Sequence, residues 1–411
     1  MMKRIWNLRR AALALGFGLV LLGGPAVAAD TLRPEVGKPL EQAEALMKAQ
    51  KYREALARVG EADAVPNKSA YESLVLEQVR GAAAAGAGEV EVAARAYDAV
   101  IASGKLPPEQ QLGIMQALTG SYYRARDYAK AEAWAERYLK AGGTDPLVER
   151  LLTQSWYLGG DYADAAHALQ ADVAAAEKAG QAPAEDQLQM LADSEQRQND
   201  PAGCTAALEE LVSWYPKKEY WAQVLARVQR KPGFSERLAL DVYRLKLATD
   251  NLSGAADFME LAQLALQAGY PAEAKKALDR GYASGVLGSG AEAERQQRLR
   301  DLVGKQYAED QKALGAPDPQ MLKAADGGPL VNNGYNLVLN GQYDKGIALI
   351  EQGISKGQLK HAEDARLHLG MAYLLAGRED EALKALKAVQ GADGTQDLAR
   401  LWAAQARHIP A

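Results

Sequence analysis

The sequence of 411 residues contains one cysteine, Cys204, so no internal disulfide can form. Histidine is scarce as well, with four residues, and the helical zinc motif H-E-x-x-H is absent. No phosphate-binding loop is present. The glycine-rich stretch Gly281, Gly285, Gly288 and Gly290 lacks the closing Lys and Ser/Thr, and no strand precedes it. Basic residues are outnumbered: 48 Lys and Arg face 53 Asp and Glu, for a net charge of −5. A nucleic-acid partner wants a basic face, so none is expected. After residue 30 no apolar run approaches the roughly 20 residues of a membrane span, so no stable membrane insertion is expected. Cohesion must come from packed apolar surface.

One short apolar run does occur, at the start. Lys3, Arg4, Arg9 and Arg10 precede Ala11 to Leu22, then Gly23-Gly24-Pro25 and the small-residue triplet Ala26-Val27-Ala28. Basic head, apolar middle and A-x-A site, in that order, predict a secretory signal cleaved within residues 1–29. No Cys follows the run to carry a lipid. The expected route is the general secretory one, and the expected location is a Gram-negative periplasm. Losing four basic residues with the signal takes the net charge from −5 to −9.

The rest of the chain repeats itself. In "LGMAYLLAGREDEALKAL", Gly377 marks a turn, with Gly370 and Tyr373 before it and Ala382 and Leu386 after it. Small residues at facing positions let two helices approach, and large ones fill the space to the next pair. Gly341 lies 36 residues before Gly377, and Gly233 lies 36 residues before Gly269. Gly88, Arg126, Gly160, Asn199 and Lys51 hold the turn position elsewhere, followed by a small residue such as Ala93, Ala131, Ala165 or Cys204. The pattern resembles the tetratricopeptide repeat, a helix–turn–helix unit of about 34 residues that cannot bury its apolar face alone. The resemblance implies an all-α fold: stacked pairs in a right-handed superhelix, or α-solenoid, with the first helices lining a concave face.

The pattern weakens in two places. The unit around Pro232-Gly233 lacks a tight small residue in its second helix and reads as an irregular central unit. "GAPDPQMLKAADGGPL" breaks helix and reads as a linker over 315–328. The expected domains are a repeat array over 30–314, that linker, and a C-terminal module over 329–411 whose last helix, around Leu398 to Trp402, caps the stack. Gly377 should take a left-handed φ or sit where a Cβ would crowd the facing helix, and replacing it with Val should cost more than the same change at Gly394. The C-terminal module also resembles modules of exported proteobacterial repeat proteins. "YPKKEYWAQVL" is similar to repeat proteins that accompany TonB–ExbB–ExbD energy-transduction systems.

Catalytic patterns are thin. His361, Asp364 and His368 share a helical face at spacings of three and seven, but the pair of histidines four apart that the zinc motif needs is missing. Cys204 fits a small-residue slot and is expected to be buried. Gly353-Ile354-Ser355-Lys356-Gly357 spells G-x-S-x-G, yet a repeat helix rather than a strand leads into it. Glu209 and Glu210 read as a solvated face, and no glutamate stands alone in an apolar, aromatic setting. No catalytic residue, cofactor or metal is predicted. An all-α enzyme on cell-wall polymer is the competing class, and an accessory of an energy-transduction or outer-membrane assembly system is the alternative within binding proteins.

The first-helix positions that would point into a concave groove carry Gln116, Tyr123 and Arg124, then Arg150, Gln154 and Tyr157, then Gln189, Asp193, Gln196 and Arg197. Guanidinium groups bind carboxylates in pairs of hydrogen bonds, and tyrosine offers a rigid apolar face with a polar tip. The expected partner is a protein or peptide segment bearing carboxylates. The equivalent C-terminal face carries Asp364, Leu367 and Met371.

Overall fold

A computed structural model describes residues 31–314, 323 and 325–408. The expected signal over 1–29 lies outside the described residues. Among them there are twenty α-helices, one short 3-10 helix and no strand, so the all-α expectation holds. The chain forms two compact units that divide at Leu152–Thr153.

The first unit holds α1 (Pro34–Lys48), α2 (Tyr52–Asp63), α3 (Ala70–Ala87), α4 (Val90–Ala102), α5 (Pro108–Ala125) and α6 (Tyr128–Lys140). These pack as consecutive pairs. In α6 the buried residues are Ala131, Trp134, Ala135 and Tyr138, one face at helical spacing. Asp127 accepts from the Lys130 amide at 3.3 Å and holds the helix start.

Helix α7 (Pro146–Gly159) carries the division between units. The second unit continues with α8 (Tyr162–Lys178), α9 (Glu185–Arg197), α10 (Pro201–Trp214), α11 (Lys218–Arg230), α12 (Ala239–Ala248), α13 (Ala255–Gln267), α14 (Pro271–Ala283) and α15 (Ala293–Ala313). It ends with α16 (Gly328–Leu339), α17 (Tyr343–Lys356), α18 (Ala362–Leu375), α19 (Glu379–Lys387) and α20 (Thr395–Ala406).

The turn register is as expected with one correction. Gly377 has φ +73, and the Arg378 amide reaches back to the Tyr373 carbonyl at 2.9 Å, the six-to-one closure of a helix end. Gly88, Arg126, Gly160, Asn199, Gly269 and Gly341 also have left-handed φ. At the first turn the left-handed residue is Gln50, at φ +60, and Lys51 lies one residue later at φ −92. The slip arose because neither residue is a glycine. Small residues do set helix approach: a Cβ on Gly334 would lie 2.6 Å from the Gly346 carbonyl oxygen. Ser355 sits in the last turn of α17 with no strand before it, as its repeat position required.

The expected domain limits do not coincide with the units. Residues 315–322 and 324 lie outside the described residues, but the helices flanking them touch: Asn336 of α16 donates to Asp310 of α15 at 2.8 Å. The C-terminal module therefore belongs to the second unit. The irregular unit is real, since α11 leads through Lys231–Ser235 and the 3-10 helix Glu236–Leu238 into α12, only ten residues long.

Candidate functional site

The predicted face residues fall on first helices, where the opposite side is core: Ile114, Leu118 and Tyr122 in α5, and Leu188, Leu191 and Ala192 in α9 are buried. In the first unit, Gln116 donates to Asp145 at 2.6 Å. Tyr123 packs edge-on against Tyr128, centroids 5.8 Å apart, and burial raises its hydroxyl pKa. Arg124 donates to the Ser121 hydroxyl at 3.0 Å, and Arg150 is exposed on α7.

In the second unit the face is a ladder between neighbouring first helices. The Tyr157 hydroxyl donates to Asp193 at 2.7 Å. Burial, then Asp193, pushes that hydroxyl up to about 12. Arg197 donates to the same carboxylate at 2.6 Å and to the Tyr162 hydroxyl at 3.0 Å. Gln189 donates to the Tyr220 hydroxyl, and Arg227 donates to Gln196. Gln154 is half-buried on α7. Arg197 thus already has a carboxylate of its own, which the sequence reading did not foresee. A broad depression of about 430 Å³ in the first unit, lined by Gly88–Val92, Tyr122 and Asp127, includes none of these ten residues.

The C-terminal face is arranged differently, because the chain itself fills it. Leu367 and Met371 are 0% and 3% exposed. Asp364 takes a two-pronged ion pair from Arg237, both contacts at 2.8 Å. Arg237 also reaches Asp393 at 2.7 Å. Lys231 pairs with Asp397 at 2.7 Å, and the Ser235 amide donates to the Asp393 carbonyl at 2.9 Å. The capping helix α20 lies against α10: Arg400 pairs with Glu209 at 2.8 Å, and His408 contacts the Ser213 carbonyl at 2.9 Å.

Beneath this contact lies a charged cluster that sequence reasoning missed. Arg244 of α12 is 5% exposed. It makes two contacts with Glu273, at 2.8 and 2.7 Å, and one with Asp241 at 2.8 Å. His368 of α18 reaches Asp241 at 2.9 Å and stacks on Tyr335 at 4.9 Å. Burial alone would raise the Asp241 carboxyl, but His368 and Arg244 reverse that and hold it below the ordinary carboxylate range. Burial works against the Arg244 cation, and Glu273, Tyr335 and Asp241 outweigh it. The signal was available in "LALDVYRLKL": Asp241 and Arg244 interrupt an apolar run, and a buried charge needs a partner.

The residues weighed for chemistry are otherwise engaged. Asp364 and His368 serve the contacts above, and no metal-binding cluster occurs among the described residues. Cys204 is buried, and burial raises its thiol, opposite to what a nucleophile needs. Glu210 corrects the reading of a solvated face. It is half-buried one turn before Trp214, and burial together with the Glu177 carboxylate pushes it up to about 7.

No helix among the described residues is long and apolar enough to cross a membrane. The tetratricopeptide-repeat family model matches residues 332–397. No curated protein matches the chain. The yeast Tom70 crystal structure is similar at 11% identity and a TM-score of 0.25, covering 91% of this chain and 96% of that one. The P58(IPK) TPR domain is similar at 14% identity and a TM-score of 0.22, covering 91% and 97%. The tetratricopeptide-repeat match falls on α16–α19, and the same helix–turn–helix register recurs in the helix pairs before it.

Proposed function

We propose that this chain is a non-catalytic, exported scaffold of a bacterial periplasm, and that its central first helices bind a protein or peptide segment bearing carboxylates. Tetratricopeptide repeats serve protein–protein interaction, since stacked units offer extended surfaces. The observation that carries the finer reading is the exposure of arginines beside tyrosines on these helices. In the first unit these are Arg124 and Arg150, with Tyr123 half-buried. In the second, Arg197 is exposed over the Tyr162 ring, its guanidinium carbon 5.1 Å from the centroid. An incoming carboxylate competes for Arg197 with Asp193, and at Arg124 it meets a guanidinium that donates to the neutral Ser121 hydroxyl.

The test replaces Arg124, Arg150 and Arg197 together with Ala and compares capture from envelope extract, beside a turnover assay on peptidoglycan. A protein captured by the unaltered chain should be lost by the triple variant, and its binding should weaken with salt. Retention at full affinity would overturn the face assignment. Turnover abolished by replacing one carboxylate would overturn the scaffold reading. N-terminal sequencing should place the start of the stable protein near Ala29 or Asp30.

A further inference from the structure

The C-terminal module presents three carboxylates toward one segment of its own chain. Asp364 stands in the first turn of α18, Asp397 in the first turn of α20, and Asp393 between α19 and α20. Each meets a cation of the segment Lys231–Arg237 at 2.8 Å or less. Phe234 lies between those cations in sequence and fits against Gly394, where a Cβ would come within 2.3 Å of its ring. The segment then continues along α18 in register: Arg237 meets Asp364, and four residues later Asp241 meets His368, four residues after Asp364. Helix-in-groove recognition has this form, with anchors at helical spacing.

The contact has two layers. Arg244, Asp241 and Glu273 are buried. The outer cations are open to water, with the Lys231 and Arg237 side chains 45% and 26% exposed, whereas their partners Asp397 and Asp364 are 4% and 18% exposed. Water competes for the two cations, and Asp397 also holds Arg400 at 2.5 Å, so it keeps a partner when Lys231 leaves. A segment with the same charges can replace them one for one while the buried layer stays closed.

We propose that the C-terminal module is a recognition site for basic–aromatic–basic segments of the pattern Lys-x-x-Phe-x-x-Arg, and that residues 231–237 occupy it in cis, so that a partner segment binds by displacing them. This site shares no residue with the central face, and either reading can fail alone. The probe is a labelled peptide copying residues 229–240, titrated into the full chain. The unaltered protein binds it weakly. Lys231→Ala with Arg237→Ala removes both cations of the outer layer, frees their carboxylates, and should tighten binding about tenfold, or 1.4 kcal/mol. Adding Asp364→Ala and Asp393→Ala should abolish it. A folded double variant that binds no better than the unaltered chain overturns the proposal. A measurement on the unaltered chain covers the case where that variant does not fold. Excess peptide should speed hydrogen exchange of the Ser235 amide, which donates to Asp393 in the closed form, and an unchanged rate overturns the proposal too.

Discussion

Helices α7 and α9, and helices α16 and α18, follow one grammar of turn residue and small residue, yet their polar faces behave differently. On α7 and α9 the face bonds to the neighbouring repeat. Tyr157 and Asp193 are 36 residues apart, and Gln196 and Arg227 are 31 apart. On α18, and on the capping helix α20, the face bonds to a segment far back in the chain, with Arg237 and Asp364 separated by 127 residues and Lys231 and Asp397 by 166. Nearest-neighbour contact is what a repeat array supplies by construction. The long-range contact is an addition, and it falls where the repeat pattern is least regular.

That contrast is tested first at Arg244. Arg244→Ala leaves Glu273 buried without its cation and Asp241 with His368 alone, and breaking a buried pair costs about 3–5 kcal/mol. Arg124→Ala, on the central face, should cost no more than about 0.5 kcal/mol, because exposed charges contribute little. Chemical denaturation of the two variants reads the difference. Equal shifts would mean that the buried cluster holds nothing that the central face lacks.

The next largest effect reverses an expectation drawn from the repeat alone. Gly377 should have outweighed Gly394 as the turn residue of its repeat. Both have left-handed φ, at +73 and +102. Gly377 has open space where a Cβ would go, whereas Gly394 faces Phe234 of the irregular unit. Gly377→Val costs about 1–2 kcal/mol of backbone strain. Gly394→Val adds a clash with the Phe234 ring to the same strain, so its melting temperature should drop further. A smaller drop at Gly394 would mean that Phe234 moves aside freely.

These cases mark what was legible. Turn positions and small-residue slots were read almost throughout, because they follow from local backbone geometry and the spacing of one helix pair. Gln50 was missed by one residue, since a left-handed Gln leaves no trace in composition. The face residues were placed on the right helices, but their hydrogen bonds were not, because those depend on side chains one repeat away. The docking of residues 231–244 on the C-terminal module was not legible from spacing at all. Its one trace was the pair Asp241 and Arg244 inside an apolar run, within the unit already marked as irregular.

On the central face the expected effects are smaller. Tyr157→Phe removes the hydroxyl that donates to Asp193 at 2.7 Å. The cost should be about 1 kcal/mol, read by equilibrium unfolding. Arg197→Ala in the same background should add little, since both groups share one carboxylate. Full additivity would show that Asp193 does not couple them.

The smallest effect depends on pH and separates the two glutamates once read as one solvated face. Glu209 is held by Arg400 of the capping helix. Glu210, its neighbour, faces Glu177 of α8 instead, with Trp214 one turn on and Arg407 beyond the capping helix. Its carboxyl titrates near 4.5 in an unfolded chain and about 7 in the native one. Between those values the native state binds more protons than the unfolded state, so stability falls as pH rises through this window. Glu210→Gln removes the charge that forms there. The variant should melt about 2 °C above the parent at pH 8 and level with it near pH 4.5. The gap should open between those two values. Glu209→Gln should instead lower the melting temperature at pH 8, because it breaks the pair with Arg400. A Glu210→Gln gap that stays constant across the titration would mean that Glu177 and Glu210 hold no shared proton, and the two glutamates would then differ only in their partners.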